Sequence, residues 1–139
     1  MIIKGGIMST WKFDDNFGYM ESREYLDQIM KEFNDLFKTD GLLLNKTSVG
    51  IRFDSFKGYD ISIEAFFIKV PRLDYKIEIF RIEQPLVKEY PITVFNSIVK
   101  QNEECWDIES LKEAVERITT SRRLNDIINN LRSRVLYAY

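Results

Sequence analysis

The chain has 139 residues, 45% of them hydrophobic and 30% charged, which fits one compact domain and excludes disordered and fibrous classes. Lys plus Arg number 20 and Asp plus Glu 22, a formal charge of −2 with no whole-chain field to attract nucleic acid or anionic lipid. Histidine is absent, which excludes Ser-His-Asp and Cys-His catalysis and His-ligated zinc, and the single Cys105 excludes an internal disulfide and fits a reducing compartment.

No apolar run approaches the roughly 20 residues needed to span a bilayer, and the N-terminus lacks a signal-peptide pattern, so the expectation is a cytoplasmic protein with no membrane partner. Residues 1–7 precede a second methionine, Met8, and Lys4-Gly5-Gly6 can be encoded by a ribosome-binding string. Residues 1–7 therefore read equally as a leader ahead of a translation start at Met8, in a bacterium or bacterial virus, or as a short disordered terminus. Residues 8–21 hold Trp11, Phe13, Phe17 and Tyr19 around Asp14, Asp15 and Gly18, the pattern of a hairpin or an aromatic arm laid over apolar surface.

From Ser22 to Thr39 the residues Tyr25, Leu26, Ile29, Met30, Phe33, Leu36 and Phe37 recur at the spacing of one helical face. Ser22 is the expected cap and Gly41 the expected stop. Between Lys46 and Asn96 the period becomes two. Runs at Lys46–Phe53, Tyr59–Lys69, Tyr75–Glu83 and Pro91–Phe95 are separated by turn residues and predict an antiparallel four-stranded meander. The phase places Val49, Ile51, Phe53, Ile61, Ile63, Ala65, Phe67, Tyr75, Ile77 and Ile79 toward the helices. It leaves Ser48, Arg52, Asp60, Ser62, Glu64, Lys76 and Glu78 on the other face, together with Phe66, Ile68, Phe80 and Ile82.

A polar loop is expected around Gln101–Glu104. Asp107 then caps a helix ending near Thr119, with Trp106 as a hydrophobic staple, and Ser121 starts a last helix through about residue 136. Residues 1–139 thus read as one two-layer α+β domain: a four-stranded antiparallel meander packed against an N-terminal helix and two C-terminal helices.

A leading amphipathic helix running into an antiparallel meander, in a small acidic chain, resembles the secretion-chaperone class. That class places a helix after the third strand, where this chain has the short proline-bearing link Glu83–Pro91.

Three constellations carry chemistry. Asp60, Glu64 and Glu78 could share a proton or hold Mg²⁺, although Arg52 and Lys76 on the same face offer them ordinary cross-strand partners. Cys105 lies among Glu103, Glu104 and Asp107, whose charge opposes formation of a thiolate, and reads as structural. Residues 117–139 hold five arginines against Asp126, whereas residues 103–116 hold six acids against Lys112, so the two stretches are expected to neutralise each other by packing.

The leading expectation is a non-catalytic module that binds another protein stoichiometrically, as an inhibitor, immunity factor or chaperone does. Arg52, Ser62, Glu64, Lys76, Glu78, Phe80, Trp11 and Phe13 are the candidate contact residues. No cofactor or metal is implied, and self-association into a homodimer is a further expectation. The alternatives are a small-molecule or nucleotide binder, with a pocket between sheet and arm where Arg52 and Lys76 meet an anion, and a metal-dependent hydrolase. Nucleic acid ranks below these as a partner.

Overall fold

The structure, a computed structural model, describes residues 3–4, 7–8 and 18–138, so Trp11, Phe13 and Phe17 of the expected arm lie outside the described residues. Two short strands, β1 (Ile3–Lys4) and β2 (Ile7–Met8), pair antiparallel with each other.

Helix α1 (Glu21–Phe37) turns Leu26 into the core and packs Tyr25, Ile29, Met30, Phe33 and Phe37 against it, the apolar stripe read from the sequence. Ser22 does not cap it. The helix starts after Met20, and Ser22 is buried within the first turn. The Ser22 N–H, one of the orphan donors of a helix start, donates to Glu89 Oε2 at 2.9 Å, so a carboxylate from a distant link does the capping. Gln84 Nε2 donates to Ser22 Oγ and to the Glu89 carbonyl, each at 3.1 Å, and completes the clasp. At the other end a 3-10 turn (Lys38–Asp40) leads to Gly41 at φ 83. A Cβ at Gly41 would stand 3.2 Å from Val135 Cγ1, so both dihedral and space require glycine there.

The sheet has five strands in sequential antiparallel order: β3 (Leu43–Asp54), β4 (Tyr59–Val70), β5 (Tyr75–Pro85), β6 (Ile92–Asn96) and β7 (Gln101–Cys105). The last corrects the expected polar loop. Its charged residues suit a sheet edge, where exposed backbone is best flanked by polar side chains. The preceding turn is closed by Asn96, whose Oδ1 accepts from the Ile98 and Val99 N–H groups at 3.0 and 3.3 Å. At the opposite edge, the Asn34 side chain stands in for a neighbouring strand. Its Oδ1 accepts from the Leu44 N–H at 2.7 Å, and its Nδ2 donates to the Leu44 carbonyl at 3.3 Å.

The phase of the central strands differs from the sequence reading. Phe66 pairs with Phe80, their rings stacked with centroids 4.7 Å apart, and both are 0% exposed beneath the helices. Ile68, Val70, Ile82, Ile92, Val94 and Cys105 join them in the core. Ile61 and Ala65, expected there, are 3% and 4% exposed yet lie outside that cluster, on the other face with Ile63 and Phe67. Two irregularities account for the mixture. Val49 is skipped in the β3–β4 register and Ile79 in the β4–β5 register, and each bulge reverses the alternation beyond it. Ile77 and Ile79 therefore reach the helix side as expected, whereas Ile51 and Phe53 stand 65% and 61% exposed near the hairpin end.

Helices α2 (Ile108–Thr119) and α3 (Arg122–Leu136) complete the helical layer. Asp107 caps α2, accepting from the Ser110 N–H at 2.8 Å, and Ser121 caps α3, accepting from the Leu124 N–H at 3.2 Å. Trp106 is 66% exposed and does not staple the start of α2. The result is a two-layer α+β fold with all three helices against one face of the sheet. No helix among the described residues is long and apolar enough to cross a membrane.

Candidate functional site

With the helices on one side, the other face of the sheet is left without a covering element among the described residues. Its side chains fall in rows set by the register. One row is Asn45, Phe67 and Glu78; the next runs from Thr47 through Ala65, Arg81 and Phe95 to Asn102. A third holds Ile63, Glu83, Thr93 and Glu104, and a fourth Arg52, Ile61 and Pro85. Ile61, Ile63, Ala65, Phe67 and Phe95 thus form an apolar centre, with Ala65 as its low point.

Charged residues ring this centre and are paired with one another. Arg52 Nη2 lies 2.8 Å from Glu83 Oε1, and Lys57 Nζ lies 3.1 Å from Glu104 Oε2. Arg81 Nε donates to both Glu78 oxygens at 2.9 Å, and Ser97 Oγ donates to the same carboxylate. Burial works to raise the Glu78 carboxyl, but the hydrogen bonds from Arg81 and Ser97 outweigh it and hold the group below the usual carboxylate range. Lys76 Nζ sits 5.1 Å from the Phe67 ring centroid and Lys100 Nζ 5.9 Å from that of Phe95, so a cation lies over each of these half-buried rings.

Of the residues singled out from the sequence, Arg52, Lys76 and Glu78 lie on this open face. Ser62, Glu64 and Phe80 do not. Ser62 Oγ donates to the Gln84 carbonyl on the helix side, Phe80 is core, and Glu64 pairs with Arg23 of α1 at 3.0 Å and with Lys46 at 3.8 Å. Trp11 and Phe13 lie outside the described residues. Ile63 and Phe67 were missed because the strand phase assigned them to the helix side, and Arg81 and Phe95 carried no signal that set them apart.

The geometry bears on the other chemistries. Glu64 and Glu78 are on opposite faces and cannot share a proton or an ion, and among the described residues no cluster of three carboxylate or thiol ligands occurs. Arg52 pairs with Ile61 and Lys76 with Lys69, which puts them about 26 Å apart along β4 at about 3.3 Å per residue, too far to clamp one small anion. A cleft of about 240 Å³ lies between α1 and α3, lined mainly by apolar side chains including Phe33, Leu44, Ile79 and Ile128. Cys105 is fully buried; desolvation, reinforced by Glu103, pushes its thiol up to about 11 and away from nucleophilic use.

Compared with protein-family models, with curated proteins and with solved structures, the chain matches none. The class it belongs to is therefore stated by architecture, as a two-layer α+β domain with three helices on one sheet face and, among the described residues, no element over the other.

Proposed function

We propose that the chain is a non-catalytic binding module, acting inside a bacterial or phage-infected cell by stoichiometric contact with another protein, as an inhibitor, immunity factor or chaperone does. The observation that carries this reading is the open sheet face, where an apolar centre of Ile63, Ala65, Phe67 and Phe95 is ringed by internally paired charges. An apolar core inside a polar rim is the anatomy of protein interfaces, with aromatic residues supplying the anchors. Arg52, Arg81 and Lys57 are matched by Glu83, Glu78 and Glu104, and Lys76 and Lys100 lie over aromatic rings, so the charges around the apolar centre are engaged within the face and leave that centre to an apolar partner surface.

The test is affinity purification of the tagged chain from its native host, with quantitative mass spectrometry of co-eluting proteins. Wild type is compared with Phe67→Asp, Phe95→Asp and, as a surface control, Lys31→Ala on α1. One protein is expected to co-elute in fixed ratio with wild type and control, and to be lost from both face variants while their melting temperatures stay near wild type. Retention of that protein by both face variants, or no co-eluting protein in any sample, would overturn the proposal.

A further inference from the structure

Packing of α2 beside α3 was expected to neutralise the C-terminal arginines, and the ion pairs are arranged otherwise. Arg117, which pairs with Glu103, belongs to α2 itself. On α3, Arg122 approaches Asp126 of its own helix at 4.0 Å, and Arg132 reaches Asp40 at 2.9 Å. Among the described residues, Arg123 and Arg134 have no carboxylate within 4.0 Å. The helix therefore carries four arginines against Asp126, and no acid of α2 offsets them.

The placement of these groups follows from the helix period. Leu124, Ile128 and Leu131 turn the apolar stripe of α3 into the core, so Arg122, Arg123, Asn130 and Arg134 stand exposed. Arg123 and Arg134 are separated by about three turns and lie on one line, about 16 Å apart, with Asn130 between them. Tyr137, exposed, follows at the end of the helix. A span of about 16 Å lets the two guanidinium groups reach separate phosphates of one backbone, whose charges repeat every 3.4 Å of duplex axis on each strand. Guanidinium forks match phosphate oxygens, a side-chain amide can donate between them, and an exposed aromatic offers a base a stacking surface.

We propose that the exposed flank of α3 marked by Arg123, Asn130 and Arg134 binds the sugar-phosphate backbone of a nucleic acid, with Arg123 and Arg134 on phosphates, Asn130 between them and Tyr137 against a base. A lipid surface fits less well. A membrane-surface helix inserts its apolar side, and the apolar side of α3 is already packed against the core. This surface is separate from the open sheet face and stands without the reading given for it.

Fluorescence anisotropy of the full chain tests the proposal, with a labelled 20-nucleotide RNA, the same sequence as single-stranded DNA, and its DNA duplex, at 50 and 200 mM salt. At least one arm is expected to bind at 50 mM salt, and the strongest arm identifies the form preferred. With two arginine–phosphate contacts, affinity falls about 7- to 12-fold between the two salt concentrations. The R123E/R134E variant should lose at least tenfold in affinity and show a flatter salt dependence at an unchanged melting temperature, whereas Phe67→Asp should bind like wild type. No binding in any arm at 50 mM salt overturns the proposal. So does binding indifferent to R123E/R134E, or binding to phosphatidylglycerol vesicles without binding to any nucleic acid.

Discussion

Glu64 and Glu78 occupy neighbouring strands, yet their side chains point to opposite faces of the sheet, because Ile79 is skipped in the register between them. Glu64 meets Arg23 and Lys46 under α1, while Glu78 meets Arg81 and Ser97 on the open face. Charge reversal should therefore act differently at the two positions. Glu64→Lys puts three cations together where the carboxylate is only 17% exposed, and should cost about 1–3 kcal/mol in urea denaturation. Glu78→Lys should cost less, about 1 kcal/mol, and weaken partner association. Equal stability losses in the two variants would mean that the two carboxylates share one environment.

Truncations in the helical layer and in the sheet should rank by burial. Phe66→Ala and Phe80→Ala each remove half of a stacked pair that is fully buried, and should each cost about 3–5 kcal/mol. Phe33 is half-buried at the edge of the cleft between α1 and α3, so Phe33→Ala should cost about 1–2 kcal/mol. Chemical denaturation of the three variants against wild type checks the order.

The Asn34 amide serves both backbone groups of Leu44, and no other residue type supplies a donor and an acceptor in that shape and at that reach. Asn34→Ala should cost about 1–3 kcal/mol and speed hydrogen exchange at the Leu44 amide, with little change at the amides of β5. Asn34→Asp should keep the bond from the Leu44 N–H while setting a carboxylate against the Leu44 carbonyl, and should be destabilising as well. Exchange measured by NMR separates this local opening from global unfolding.

Cys105 contributes to the pH dependence of stability on the alkaline side. Its pKa is pushed up to about 11 in the folded chain, against about 8.5 for an unfolded cysteine. The folded state therefore holds the proton to higher pH. The contribution is fully present below about pH 8.5 and is lost as pH rises toward about 11, amounting to about 2–3 kcal/mol at the upper limit. Cys105→Ala should flatten the fall in unfolding free energy between pH 8.5 and 11. The native thiol should also react with iodoacetamide at pH 8 far more slowly than the unfolded one.

The helices were legible in the sequence because each buries one stripe: Leu111, Val115 and Ile118 in α2, and Leu124, Ile128 and Leu131 in α3, occupy the apolar phase of their segments. The meander was legible from Gly58, Pro71, Asp74 and Pro85 between period-two runs. Which face of the sheet meets the helices was not. In β4 both phases are apolar, with Ile61, Ile63 and Phe67 on one and Phe66, Ile68 and Val70 on the other, and alternation alone cannot rank them. The bulges that reverse the phase carry little signature: Gly50, at φ 143, hints at the first, and nothing in Glu78-Ile79-Phe80 marks the second. The fifth strand escaped because Gln101–Glu104 has no apolar alternation; it is held by pairing with β6. Half of the site followed from these errors, since Arg52, Lys76 and Glu78 were placed by their charge while the apolar centre beside them was assigned to the core.

The clasp at the start of α1 also sets an order of events during synthesis. Glu89, which caps the Ser22 N–H, lies 67 residues further along the chain, and Gln84, which holds the Ser22 hydroxyl, lies 62 further. α1 therefore leaves the ribosome with its first turn uncapped and its apolar stripe without a sheet to meet. The hairpin of β4 and β5 must emerge before either group can reach it. For that interval the nascent chain presents Leu26, Ile29 and Phe33 to whatever is nearby, and α1 is made well before the residues that fix it in place.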